Sequence, residues 1–124
     1  MSGSKKILLD TNAIINALNK NLVLPENRFI ISIITEMELL SFPKITKIEE
    51  QTIKTLLKNF EIINIVNEIK ELTIELRKQY GLKMPDSIIC ATAQINNATL
   101  ISDDKQLAKV DLLEVIGLDE FIKS

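Results

Sequence analysis

Short apolar runs alternate with helix-patterned stretches along the chain, and this alternation restricts the fold more than any other feature of the sequence. Residues 6–9 (Lys-Ile-Leu-Leu), 29–33 (Phe-Ile-Ile-Ser-Ile), 60–66 (Phe-Glu-Ile-Ile-Asn-Ile-Val) and 99–102 (Thr-Leu-Ile-Ser) read as strands, with residues 113–116 as a fifth. A strand that is apolar at successive positions is buried on both faces, the situation of parallel sheets covered by helices on each side. The stretches between the runs supply those helices. Residues 11–18 place Ile14, Ile15 and Leu18 on one face, and a short helix over 35–40 stops near Pro43. Thr46 and Glu49 form a capping-box pattern that opens a helix to residue 59, with Ile53, Leu56, Leu57 and Phe60 at 3,4 spacing. Residues 67–80 carry the stripe Ile69, Leu72, Leu76, Tyr80, end on Arg77 and Lys78, and are followed by Gly81 as a helix stop. Pro85 opens a last helix to residue 96, whose small Ala91 and Ala93 allow close approach to a sheet. Gly117 ends the fifth strand and leaves a short tail. The expected architecture is a mainly parallel α/β sandwich, a single domain spanning 1–124.

Composition narrows the chemistry. Cys90 is the one cysteine, so neither a disulfide framework nor a cysteine-based zinc site is available. The absence of histidine removes Ser-His and Cys-His nucleophiles and imidazole ligands. No apolar run approaches about 18 residues, and residues 1–6 are polar with no apolar segment behind them, so neither a membrane span nor a signal peptide is expected and a cytoplasmic protein is. Net charge −2 and a sequence pI near 5.2 argue against a broad basic surface for gripping nucleic acid. An enzyme built on this chain has to work with carboxylates and hydroxyls.

The acids gather where a parallel sheet places its sites, beyond the carboxyl ends of the strands. Asp10 follows the first strand, Glu36 and Glu38 lie just past the second, and Asp103 and Asp104 follow the fourth. Asp86 opens a helix beside Pro85. Two carboxylates about 5 Å apart repel by roughly 3 kcal/mol at an effective dielectric near 20, so such a cluster calls for a cation or for protons. Oxygen-only ligands select hard divalent ions, Mg²⁺ or Mn²⁺, which can acidify water and neutralise a phosphate. The residues thus read as a metal-dependent phosphoryl-transfer site, with Asp103 and Asp104 as alternatives at the fourth position.

Four stretches in order resemble a known family: Ile7-Leu8-Leu9-Asp10-Thr11-Asn12, residues 32–40 ending in Glu38-Leu39-Leu40, Pro85-Asp86-Ser87-Ile88-Ile89-Cys90-Ala91-Thr92-Ala93, and Leu100-Ile101-Ser102-Asp103-Asp104-Lys105. The chain is similar to PIN-domain ribonucleases of the VapC-type toxin group. The resemblance implies a three-layer α/β/α sandwich on a five-stranded parallel sheet, a Mg²⁺ or Mn²⁺ site, and cleavage of single-stranded or structured RNA. It also implies a homodimer and a cognate antitoxin protein. Matched position by position, it assigns Asp10, Glu38, Asp86 and Asp104 as catalytic metal ligands, with Thr11, Asn12, Ser102 and Asp103 supporting them. The family usually places Gly two residues after its Leu-Leu-like pair, where this chain has Ser41-Phe42-Pro43.

Other readings are weaker. Cys90 among Ile88, Ile89 and Ala91 reads as a small buried hydrophobe. A receiver-type signalling domain needs paired acids after strand one and an Asp after strand three, whereas this chain offers one acid and then Val66-Asn67. A catalytically silent PIN-like scaffold is the other alternative.

Overall fold

The computed structural model describes residues 5–123; the rest of the polar leading segment, residues 1–4, lies outside the described residues. The order is β1 (Lys6–Leu9), α1 (Thr11–Asn19), β2 (Arg28–Ser32), α2 (Ile33–Leu40), α3 (Lys47–Leu57), β3 (Glu61–Ile63), α4 (Asn67–Tyr80), α5 (Met84–Ile95), β4 (Thr99–Ile101), a 3₁₀ turn (Leu107–Lys109), β5 (Val115–Ile116) and α6 (Leu118–Lys123). The five strands form one parallel sheet in the order β3-β2-β1-β4-β5. Chain order reverses direction beside β1, between β1 and β4, and the carboxyl ends of those two strands border a crevice of the kind in which α/β sheets bind ligands.

Successive strand residues point to opposite faces, and this splits the apolar core in two. Ile7, Leu9, Ile31 and Ile101 face the layer built from α1, α3 and α6, meeting Ala13, Ile14, Ile53, Leu57, Leu118 and Phe121. Leu8, Ile30 and Leu100 face the opposite layer, meeting Ile69, Leu76, Ile89, Cys90, Ala91 and Ala93 of α4 and α5. The unbroken apolar runs and the three-layer sandwich are one fact seen at two levels. The Ile69–Leu76 stripe is core, and Gly81 closes α4 in the left-handed conformation at φ 67°. No helix among the described residues is long and apolar enough to cross a membrane.

Several elements differ from the sequence-based expectation: β4 ends at Ile101 rather than residue 102, β5 covers 115–116 rather than 113–116, α2 starts at Ile33 rather than residue 35 and α3 ends at Leu57 rather than residue 59. Four further differences have a local reason. The second strand stops at Ser32 rather than residue 33, because the Ser32 hydroxyl accepts from the Ile34 N–H at 3.1 Å and caps α2. The third strand spans three residues instead of 60–66. Its last residue, Ile63, pairs with Ser32, and beyond that point β2 has become a helix and offers no edge. The expected tail is α6, whose Leu118 and Phe121 are buried and whose Phe121 meets Phe29 edge-on at 6.2 Å. Asp119 and Glu120 in its first turn and Lys123 in its last were the available helix signal. The last long helix begins at Met84, one residue early, placing Pro85 at its second position, where the N–H is still unneeded.

The capping box is complete: the Glu49 N–H donates to Thr46 Oγ1 at 3.0 Å and the Thr46 N–H to Glu49 Oε1 at 2.9 Å. Replacing Thr46 by Ala removes one arm and is expected to cost about 1 kcal/mol in urea unfolding. An unchanged midpoint would show that α3 is held by Ile53 and Leu57 alone.

Candidate active site at the carboxyl edge of the sheet

Asp10 stands where β1 becomes α1. Its N–H extends the ladder to Ile101 O at 3.1 Å, and its Oδ1 accepts from the Ala13 N–H at 2.8 Å, capping the helix. The residue is 6% exposed and also receives a hydrogen bond from the Ser102 side chain. Glu38, half-buried on the second turn of α2, accepts the Thr11 hydroxyl at Oε1, 2.6 Å away. Thr11 has a single hydroxyl proton. The short bond to the carboxylate takes it, so the buried Thr35 hydroxyl is the donor across the 3.1 Å gap between the two threonines. Asp86 is half-buried at the third position of α5. Asp104 is exposed: its N–H donates to Ser102 Oγ at 3.1 Å and its Oδ1 accepts from the Gln106 N–H at 2.9 Å, starting the 3₁₀ turn.

The sheet thus brings all four assigned acids to one edge, and they feel one another. Burial raises the Asp10 carboxyl above its ordinary value, the charges of Asp86 and Asp103 raise it further, and the Ser102 and Ala13 hydrogen bonds oppose them. Burial also raises Asp86, with added repulsion from Asp104 and Glu38 that Lys83 partly offsets. Asp86 therefore lies in the field of the other three. Among the described residues none of the four forms an ion pair. The same field reaches Cys90, one turn along α5, whose thiol is pushed up to about 12 mainly by burial and then by Asp86, Asp10 and Asp104. It is held protonated and is no nucleophile.

A cleft of about 350 Å³ opens at these residues, lined by Asp10, Thr11, Asn12, Glu38 and Asp86 together with Ser41, Phe42 and Pro43. A second depression of about 320 Å³ is lined by Asp10, Asn12, Asn16, Asp103 and Asp104. The donors are all hard oxygens and carry uncompensated negative charge, which suits a divalent cation of the Mg²⁺ or Mn²⁺ kind. Their spacing is open: among the described residues no three acids form a closed metal-holding group.

The supporting residues divide in two. Thr11 and Ser102 touch the acids, and Asn12 lines both depressions. Asp103 is tied to α6, its Oδ1 accepting from the Leu118 N–H at 3.2 Å, while it still lines the depression that Asp10 and Asp104 share. Gly117 makes that contact possible, since a Cβ there would lie 2.8 Å from the same oxygen. Sequence reasoning missed Thr35, whose link to Thr11 is made by folding, and the cleft wall at Ser41–Pro43.

The PIN domain family matches residues 7–113. A toxin–antitoxin complex from Klebsiella pneumoniae contains a chain that is 34% identical, superimposing at a TM-score of 0.76 over 90% of this chain and 97% of that one. VapBC2 from Rickettsia felis, bound to a promoter DNA fragment, is 23% identical with a TM-score of 0.78, covering 90% and 98%. DNA-bound VapBC from Salmonella typhimurium is 16% identical with a TM-score of 0.80, covering 92% and 98%. The last two speak to the fold alone. No curated protein sequence matches the chain.

Two expectations follow from the site. A carboxyl whose pKa is raised on folding binds its proton more tightly in the native state, so its stabilising contribution is whole below the ordinary pKa and is lost as pH climbs through the raised value. Among the described residues the Asp86 side chain makes no hydrogen bond that a conservative change would break, and in chelator Asp86→Asn should melt higher than the parent near pH 7. The gap should close as pH falls through the raised Asp86 value; a variant melting lower at neutral pH would show that the charge is not a burden. Gly117→Ala should cost about 1–2 kcal/mol by displacing Asp103 from the Leu118 N–H, read by urea unfolding, and no loss would mean the carboxylate swings clear freely.

Proposed function

The chain belongs to the PIN-domain family, and from that premise we propose that it is a Mg²⁺- or Mn²⁺-dependent endoribonuclease, the toxin of a toxin–antitoxin pair. The observation that carries this reading is a set of four carboxylates around two adjoining depressions that share Asp10, with none of the four in an ion pair among the described residues. Asp10, Glu38, Asp86 and Asp104 would hold the metal. Bound there, a hard divalent ion supplies neutralisation of phosphate charge and acidification of water.

The rest of the task falls to the chain. The Ala13 N–H and the Ser102 hydroxyl fix the Asp10 carboxylate in rotation before any ligand arrives. Thr11, backed by Thr35, fixes Oε1 of Glu38 in the same way. Ser102 joins Asp10 to the loop of Asp104, so the two flanks of the site are tied through one hydroxyl. Preorganised oxygens of this kind lose little orientational freedom when the site is filled. The 34% identity to a chain of a toxin–antitoxin complex supports an antitoxin protein as partner. Homodimerisation and a cytoplasmic setting belong to the same reading.

A catalytically silent scaffold is the second reading, favoured by the lack of a closed metal-holding group among the described residues. Cleavage of a labelled single-stranded RNA by purified protein in Mn²⁺, beside Asp86→Asn and a chelator control, separates the two. The nuclease loses cleavage in both controls; equal cleavage by parent and variant would point to another site. Mn²⁺ should also stabilise the parent, by about 2.7 kcal/mol at a hundred times the dissociation constant. A scaffold with a broken site would show no such shift.

A further inference from the structure

The chain has four phenylalanines, and three of them are committed to the core. Phe29 packs against Phe60 with ring centroids 5.3 Å apart and against Phe121 at 6.2 Å. Phe42 is the exception: it is 46% exposed and lines the same cleft as Asp10, Glu38 and Asp86. It stands in the segment Ser41-Phe42-Pro43, where the sequence departs from the family's usual glycine.

The backbone holds that ring in place. The Ile45 N–H donates to Phe42 O at 3.2 Å, Pro43 occupies the second position of the turn, and Lys44 takes φ 65° at the third. This is a type II turn, whose proline presets one dihedral pair and whose third position ordinarily favours glycine. A lysine there accepts a strained backbone. Lys47 follows as the first residue of α3, against the positive end of the helix dipole, where a cation does not help the helix. Both lysines are exposed, and among the described residues neither forms an ion pair.

An exposed aromatic ring held by a rigid turn, close to unpaired cations and to a phosphate-binding cleft, is the combination with which proteins hold single-stranded nucleic acid. We propose that Phe42 is a stacking platform for a nucleobase adjoining the phosphate at the acid cluster, with Lys44 and Lys47 drawing the strand to the same rim. The ring would make the site selective for unpaired RNA, since bases within a duplex are already stacked and cannot reach it. The proposal rests on the nuclease reading for where the phosphate lies. The lysines favour RNA over an apolar protein segment, although the ring's other side borders a groove with Ile15, Leu18 and Ile48.

The test reads binding, so it does not depend on turnover. In the Asp86→Asn background with Mn²⁺, a short fluorescein-labelled single-stranded RNA of mixed sequence is titrated against the otherwise unaltered protein, Phe42→Ala and Phe42→Trp. A matching hairpin, and single-stranded oligomers with one abasic site walked along them, are titrated in parallel. Base–aromatic stacking predicts affinity for the single strand about tenfold weaker in Phe42→Ala. Phe42→Trp should retain it, and hairpin affinity should stay the same throughout. One abasic position should weaken binding to the protein with Phe42 intact and leave Phe42→Ala unaffected. Equal single-strand affinity in Phe42→Ala overturns the proposal and marks the ring as an anchor for a protein segment. Equal losses in the Ala and Trp variants, or an abasic series alike in both proteins, overturn it in favour of a role in the turn alone. If the parent protein cleaves RNA in an Asp86-dependent way while these binding signatures are absent, the nuclease reading survives and the stacking platform does not. The signatures without any cleavage would uphold the platform and remove the nuclease.

Discussion

Carboxylates held out of water and near one another are the burden that the rest of the molecule carries. Asp10, Glu38, Asp86 and Asp104 belong to four separate segments, and neighbouring carboxylates add to the cost that burial already sets on Asp10 and Asp86. A domain of ordinary stability has about 5–15 kcal/mol in hand. The acids can be kept close only because the elements that bear them are fixed for other reasons. β1 is hydrogen-bonded on both sides and fully covered, α5 is buried along most of its length, and β4 lies between β1 and β5. The apolar sandwich supplies stability that the acid edge draws upon, as is common where a function needs groups that folding alone would reject.

Much of this was legible in the residues. A strand buried on both faces has to be apolar at every position, so the runs at 7–9, 30–31 and 100–101 announce a parallel sheet without any contact being known. The capping box at Thr46 and the glycine stop at Gly81 are local chemistry and appear where the sequence puts them. The acids were visible because a parallel sheet collects its strand ends at one edge, and Asp10, Glu38, Asp86 and Asp104 surround adjoining depressions there.

What was not legible depended on partners distant in sequence. The length of β3 is set by where β2 turns into a helix, and that is decided by a serine hydroxyl on a different strand. The Thr35–Thr11–Glu38 relay joins residues 24 and 27 positions apart, and no spacing rule within α2 points to it. Asp103 and Asp104 look alike in sequence. Only the fold gives the first to the N-terminus of α6 and leaves the second at the acid edge. The exposed Phe42 could be seen as a departure from a pattern, but its place on the cleft wall comes from the turn that follows it.

The attachment of Asp103 to α6 has a mechanical side. The loop after β4 is tethered twice, to Asp10 through the Ser102 hydroxyl and to α6 through the Leu118 N–H. The two tethers differ in stiffness. Asp10 continues a strand paired on both edges, whereas α6 is a six-residue helix held to the sheet's face by Leu118 and Phe121. Two tethers on one loop act in parallel, so the tie to Asp10 still restrains the loop when the tie to α6 gives. A loosened last helix therefore frees Asp103, while Ser102, which also accepts from the Asp104 N–H, keeps that acid tied to Asp10.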